Sequence, residues 1–294
     1  MENMTAKVSC FARAWHYRNN TVHIFADNAA EKLLGEDYDR IAASMSQGVG
    51  FFLPGFRGTT EEGLRLIVEK QLASSVLGRS AYCESVLKNE IRLGSRQYVL
   101  FASGYDTFAI RNRDKSLAVF ELDLPDMLAD KQKRIEKAGL STGAVRIPCD
   151  LSDASWKDRL EEVGFRKGQK TFGSLLGISY YLEKEDFRPF LRTLGRILCE
   201  GSAICFDYPS VEDSWETQVN QALAAGAGEW MKARYNRREM EDLLGECGFL
   251  TYEHLDHSNM TERFFQNTTG RIRNTGWKPR KESAIFLLSG RKCK

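Results

Sequence analysis

The chain has 294 residues, 42% of them hydrophobic and 28% charged, enough apolar material for a full-sized core. Its 42 lysines and arginines nearly balance 40 aspartates and glutamates, which gives no electrostatic reason to expect nucleic acid or an acidic membrane surface as a partner. No apolar run is long enough to span a bilayer, no leading stretch reads as a signal peptide, and the seven cysteines never form a CxxC pair. A cytoplasmic protein is expected, without membrane contact, disulfide framework or bound metal.

The first ninety residues read as mainly helical. Apolar positions share one face over 27–34, and more clearly over 61–76 through Leu64, Ile67, Val68, Leu72 and Val76. Between them, 48–56 is punctuated by glycine and proline like a loop, yet is rich in phenylalanine. From residue 95 strands and helices alternate. Apolar runs at 98–101, 117–122, 144–148, 171–176 and 202–207 predict strands, with a further one at 284–288. Helices are predicted over 127–138, 187–198 and 238–247, each followed by a glycine stop. Repeated strand–helix units imply a mostly parallel sheet with helices on both faces, whose ligand sits beyond the carboxyl ends of the strands.

The strand ends carry the candidate chemistry. After the first strand, Ala102, Ser103, Gly104, Tyr105, Asp106 and Thr107 combine small residues, which admit a ligand close to the backbone, with an acid. After the second come Glu121 and Asp123, about twenty residues on, where a carboxylate can accept hydrogen bonds from ribose hydroxyls. A helix N-cap is an equally physical role for Asp123 or Asp126, because Pro125 suits an early helical position. After the third, Asp150 can take an adenine amino group and Leu151 can cover its ring; Asp150 also suits an N-cap. The complete GxGxxG pattern of dinucleotide enzymes is missing, since Ala102 and Thr107 stand at its first and third glycines. His254 and His257 have chelating spacing but no third ligand nearby.

These residues resemble the leucine carboxyl methyltransferase and polyketide O-methyltransferase family. Its turn reads roughly Gly-Ala-Gly-Leu-Asp-Thr-Arg-Ala, against Ala102-Ser103-Gly104-Tyr105-Asp106-Thr107-Phe108-Ala109 here. Phe120-Glu121-Leu122-Asp123-Leu124-Pro125 with Lys131, Pro148-Cys149-Asp150-Leu151 with Trp156, Tyr180-Tyr181-Leu182, Phe206-Asp207-Tyr208, Glu253-His254-Leu255 and Glu262-Arg263-Phe264-Phe265 extend the likeness over nearly the whole chain. The resemblance implies a Rossmann-like class I methyltransferase fold binding S-adenosylmethionine and releasing S-adenosylhomocysteine. It implies a helical segment 1–94 covering the cofactor and a core 95–294 with a helical cap over 208–238 containing Trp215 and Trp230, together one structural domain. It also places Arg79 on the carboxylate of the methionine portion, and Leu176-Gly177 where the family has a glutamate, before a glycine, for the cofactor's amino group. That amino group is then left to backbone carbonyls near Ala102 or to another acid such as Glu84.

The implied reaction is in-line methyl transfer to a small-molecule acceptor, through a carboxylate or hydroxyl oxygen. A carboxylate needs no base; a phenol or amine needs one, for which His16, Tyr208 and His254 are candidates. Phe51, Phe52, Phe56, Tyr180, Tyr181, Tyr208 and Arg263 are candidates for the acceptor pocket. The alternatives are a non-catalytic nucleoside-binding protein and an NAD-dependent oxidoreductase. The basic run from Arg271 to Lys281 reads as a solvated loop.

Overall fold

The structure, a computed structural model, describes residues 4–211, 230–266 and 283–291. The N-terminal segment is helical: α1 (Met4–Asn19), α2 (Ala30–Leu34), α3 (Asp37–Gln47), α4 (Val49–Phe52), α5 (Thr60–Ile67) and α6 (Ser74–Arg92). The predicted helix over 27–34 begins only at Ala30. Asp27 turns its carboxylate back onto the N–H groups of Ala29 and Ala30 (3.3 and 3.1 Å), satisfying donors that a helix start leaves open. A capping box opens α5, with Thr59 Oγ1 accepting from Glu62 N and Glu62 Oε2 accepting from Thr59 N. The single helix expected over 61–76 is divided between α5 and α6 by a π-helical stretch, Val68–Ala73. The loop expected over 48–56 contains α4.

The alternating half forms β1 (Gln97–Phe101), α7 (Phe108–Arg111), β2 (Ala118–Asp123), α8 (Pro125–Lys137), β3 (Val145–Pro148), α9 (Trp156–Glu162), β4 (Thr171–Leu175), α10 (Lys184–Ile197) and β5 (Ala203–Pro209). It continues with α11 (Arg237–Glu246), β6 (Phe249–Leu255), α12 (His257–Met260) and β7 (Ser283–Arg291). Among the described residues these strands make one seven-stranded sheet, ordered β3-β2-β1-β4-β5-β7-β6. The first five run parallel, and β7 inserts antiparallel between β5 and β6. Pro148 is tolerated because it ends an edge strand. Strand β6 had no sequence expectation. Its outer positions are polar or exposed, so its run is not continuously apolar.

Alternation along the strands sorts side chains onto two buried faces. On one, Leu77, Tyr82 and Val86 of α6 pack on Tyr98, Leu100, Val119 and Phe172. On the other, Trp156, Phe187, Phe190 and Leu244 from α9, α10 and α11 pack on Val99, Phe101, Phe120 and Phe206. A third cluster joins α1, α2 and α3 to Tyr105, Ile110 and to Met127 and Ile135 of α8. The strand order reverses between β1 and β4, so their carboxyl-end loops diverge and open a crevice. Of the expected cap, 212–229 with Trp215 lies outside the described residues. The described remainder is non-helical until Arg237, and Tyr235 bridges back to Ser210. The basic run 271–281 also lies outside them.

Gly195 of α10 sits where a Cβ would come within 2.3 Å of the Cys247 carbonyl oxygen. Gly195→Ala is expected to lower unfolding free energy by about 1–3 kcal/mol, as overpacking outweighs the gain in helix propensity. Urea denaturation checks this; an unchanged midpoint would show that α10 and the end of α11 do not pack this closely.

Candidate active site

A cavity of about 680 Å³ occupies the crevice, floored by the ends of β1, β2 and β4 and roofed by α1. Its size falls in the range of about 300–1,000 Å³ typical of small-molecule pockets. The turn after β1 forms its base. Ala102 has φ +51°, the only non-glycine residue at positive φ among the described residues, and Gly104 has φ +46°. Three bonds hold this turn: Ser103 N to Leu122 O (3.0 Å), Asp106 N to Ser103 O (2.9 Å) and Gly104 N to Asp123 Oδ2 (2.6 Å). The other Asp123 oxygen accepts from Leu124 N at 2.8 Å. Burial pushes the Asp123 carboxyl pKa up against those bonds and the charge of Lys131. The N-cap of α8 is Leu124 rather than Asp123 or Asp126.

Ala102, Ser103, Gly104, Asp106, Asp123, Arg79, Leu176, Gly177 and Tyr181 all line the cavity. Four other predicted cofactor residues do not. Thr107 turns inward and donates to Asp27 Oδ1 at 2.7 Å. Glu121 is buried in a sheet-side ion pair with Lys131 Nζ at 2.9 Å, and Arg146 lies 3.4 Å away. Asp150 folds its carboxylate onto Ser152 N and Oγ, and Leu151 packs against the core.

The pocket candidates also divide. Phe51 is 64% exposed beside Phe52, and neither lines the cavity. Tyr180 directs its hydroxyl to Asp207 Oδ2, away from the lining. Tyr208 is buried in the core and stacks on His254 at 6.4 Å. Arg263 pairs with Glu253 at 2.8 Å and lies over the Tyr82 ring. His16 Nε2 accepts from Ile24 N at 2.9 Å, which keeps its imidazole on α1's own loop. Glu84, the alternative acid for an amino group, is held by both terminal nitrogens of Arg111. No histidine lines the cavity, and no three His, Cys, Asp or Glu side chains cluster as metal ligands among the described residues.

Several lining residues, apart from Trp230 of the expected cap, had no sequence signal. Arg13 of α1 reaches the cavity with Nε on Asp27 Oδ2 (2.8 Å) and Nη2 on the Tyr105 carbonyl (2.7 Å), a partner 92 residues away. Burial works to raise the Asp27 pKa, but Arg13, Arg111 and the Thr107 hydroxyl outweigh it and hold the carboxyl below its usual range. Thr5, Ala6 and Ser9 of α1 complete the roof, and Leu124 and Met127 add an apolar wall. Trp230, 68% exposed, and Lys232 stand at the mouth; Lys232 Nζ lies 3.5 Å from Glu183.

The leucine carboxyl methyltransferase family model matches residues 6–195. A Bacillus subtilis protein named "Putative S-adenosyl-L-methionine-dependent methyltransferase YktD" is 35% identical over 280 residues, spanning 90% of this chain and 92% of its own. A Frankia alni protein with the same description is 33% identical over 140 residues, about half of each chain. Among solved structures, a "putative methyltransferase" from Thermobifida fusca superposes with a TM-score of 0.57 at 14% identity, covering 90% of this chain and 93% of that one. A DUF574 family protein from Streptomyces avermitilis gives 0.58 at 13% identity, covering 98% and 97%. Both share the α/β fold.

Burial lowers the pKa of both His16 and His254 to about 4 from 6.5, with smaller contributions from His23 and Arg237. The unfolded chain therefore takes up protons that the folded chain refuses. The stability these histidines contribute is complete above about pH 6.5 and is lost as pH falls toward about 4. Denaturation midpoints measured across this window should fall, and replacing both with glutamine should flatten the slope. An unchanged slope in the double variant would rule them out as its source.

Proposed function

This chain belongs to the leucine carboxyl methyltransferase family of S-adenosylmethionine-dependent methyltransferases, and from that premise we propose that its cavity binds the cofactor beside a small-molecule acceptor and directs methyl transfer to oxygen, with a carboxylate as the favoured acceptor. The observation that carries this reading is the convergence of Arg79, the Ala102–Gly104 turn and Asp123 on one cavity at the β1/β4 switch point. Bound S-adenosylmethionine supplies a methyl group already activated on a sulfonium.

The chain's own residues then bind, orient and exclude water. Asp123, turned to the cavity, would accept hydrogen bonds from the ribose hydroxyls. Arg79 presents guanidinium N–H groups to the methionine carboxylate. Leu124 and Met127, rather than Leu151, would supply the apolar surface for the adenine. With Glu84 engaged elsewhere, the amino group falls to backbone carbonyls of the β1 turn. Gly177 is required for the fit: a Cβ there would come within 2.6 Å of the Arg79 guanidinium.

Two features favour a carboxylate acceptor. Neither His16 nor His254 lines the cavity, so the base that a phenol or amine needs does not come from histidine, whereas a carboxylate is already anionic. Lys232 and Trp230 at the mouth suit an anion with an apolar body. Of the N-terminal helices α1 forms the roof and α6 supplies Arg79, which supports reading the helical segment and the core as one structural unit. Leu176 keeps a second reading open, in which the chain binds the nucleoside without turnover. An oxidoreductase is disfavoured by the missing glycine pattern.

Titration calorimetry should show S-adenosylmethionine and S-adenosylhomocysteine binding and NADH not binding. Arg79→Ala and Asp123→Ala should each weaken binding by about 1–3 kcal/mol, the cost of losing a hydrogen bond to a charged group. Wild-type affinity in both variants would sink the site assignment. Acceptor screening with methyl-labelled cofactor should yield label released as methanol by alkali, which an ester allows and an ether or methylamine does not. Turnover yielding only alkali-stable product would exclude the carboxylate, and binding without turnover on any acceptor class would favour the non-catalytic reading.

A further inference from the structure

Asp207 of β5 is completely buried and does not line the cavity, yet two of the three groups its carboxylate holds do. Its Oδ1 accepts the Gly177 N–H at 2.6 Å, and its Oδ2 accepts from Arg79 Nη1 at 3.1 Å and from the Tyr180 hydroxyl. Arg79 and Gly177 both face the cavity, and the guanidinium lies against the bare Cα of Gly177 at φ +72°. One carboxylate therefore fixes a cation and the backbone beneath it. The register explains how it reaches them. Leu175 pairs with Phe206 at the last rung of the parallel β4–β5 ladder, and just past that rung the Gly177 N–H meets the Asp207 carboxylate. A buried acid on β5 thus stands behind the cavity-lining residues that follow β4.

We infer that Asp207 is a positioning residue for the amino-acid end of the cofactor, acting through Arg79 and Gly177. This rests on the reading that the cavity binds S-adenosylmethionine. An arginine side chain left without a fixed anion samples many rotamers, and ordering it on binding costs affinity. Asp207 removes that cost by holding the guanidinium in place while leaving further N–H groups of Arg79 for a ligand carboxylate. Its effect is confined to the amino-acid end, because the nucleoside contacts belong to Asp123 and the β1 turn.

The test compares two ligands that share the nucleoside thioether: S-adenosylhomocysteine, and 5′-methylthioadenosine, which lacks the amino-acid end. Asp207→Asn keeps an oxygen for the Gly177 N–H but removes the charge facing Arg79. It should raise the S-adenosylhomocysteine Kd about tenfold or more and change that of 5′-methylthioadenosine by less than about twofold, in line with losing an ionic hydrogen bond. In an Arg79→Ala background the same substitution should add almost nothing, as expected of residues acting through one another. Equal weakening of both ligands, additive losses, or no weakening would each overturn the proposal. Wild-type protein that binds neither ligand would instead overturn the cofactor reading beneath it. Should Asp207→Asn fail to fold by thermal denaturation, Tyr180→Phe loosens the same carboxylate more gently. It should cost about threefold for S-adenosylhomocysteine alone, and full retention of that affinity in the folded variant would refute the role.

Discussion

The buried carboxylate of Asp27 joins the helical N-terminal segment to the sheet. It accepts from Arg13, from Thr107 and from the N–H groups opening α2, with Arg111 within 3.5 Å. Burying an anion is costly unless donors surround it, and here charged and neutral donors converge from α1, α2 and the start of α7. The consequence is geometric. Arg13 fixes α1 against the Tyr105 carbonyl, and Ala6 comes to rest 3.6 Å from where a Cβ on Gly104 would stand. The roof of the cavity and the turn at its base are therefore held by one ion cluster. The Asp-Thr pair in the turn has split duties, with Asp106 facing the cavity and Thr107 facing Asp27.

Charge is distributed around the cavity in a consistent way. Each lining arginine is backed by a buried aspartate: Arg13 by Asp27, Arg79 by Asp207. Neither aspartate lines the cavity. The cations are thus oriented before any ligand arrives, which reduces the entropy lost on binding. Asp123 works the other way. It is a lining carboxyl group that stiffens its own neighbourhood through Gly104 and Leu124. The result is a cationic end at Arg79, a carboxyl group at the end of β2 and an apolar wall of Leu124 and Met127.

The parts of this arrangement legible in the sequence were those encoded locally. Apolar runs at 98–101, 117–122 and 202–207 correspond to β1, β2 and β5 because buried parallel strands carry unbroken hydrophobic stretches. Strand β6 was illegible because it is an outer strand with exposed Leu250 and Tyr252. The strand-end rule found Asp123 and the Ala102 turn, but spacing could not separate Asp123 from Glu121. Alternation cannot either, because two residues apart they share a parity; only Asp123, at the strand's last position, escapes the sheet to meet the cavity, while Glu121 stays beneath Lys131. Arg13 and Lys232 reach the cavity through tertiary placement, and no local pattern marks them. Aromatic content misled at Phe51 and Phe52, since an apolar composition says nothing about which surface a loop faces.

Ala102 shows what this over-determination permits. A residue with a Cβ held at φ +51° costs about 1–2 kcal/mol relative to an ordinary conformation, a penalty glycine avoids. The turn keeps its shape nevertheless, because the ladder bond from Ser103 to Leu122 and the Asp123–Gly104 bond fix it from both sides. The same logic applies across the crevice. Gly177 at φ +72° is fixed by Asp207, and a side chain there would strike Arg79. The Ala102 methyl packs against the core cluster that α9 and α10 build on the sheet. At Gly177 the place of a Cβ is taken by the guanidinium that Asp207 holds, so the positive φ there is kept by a glycine.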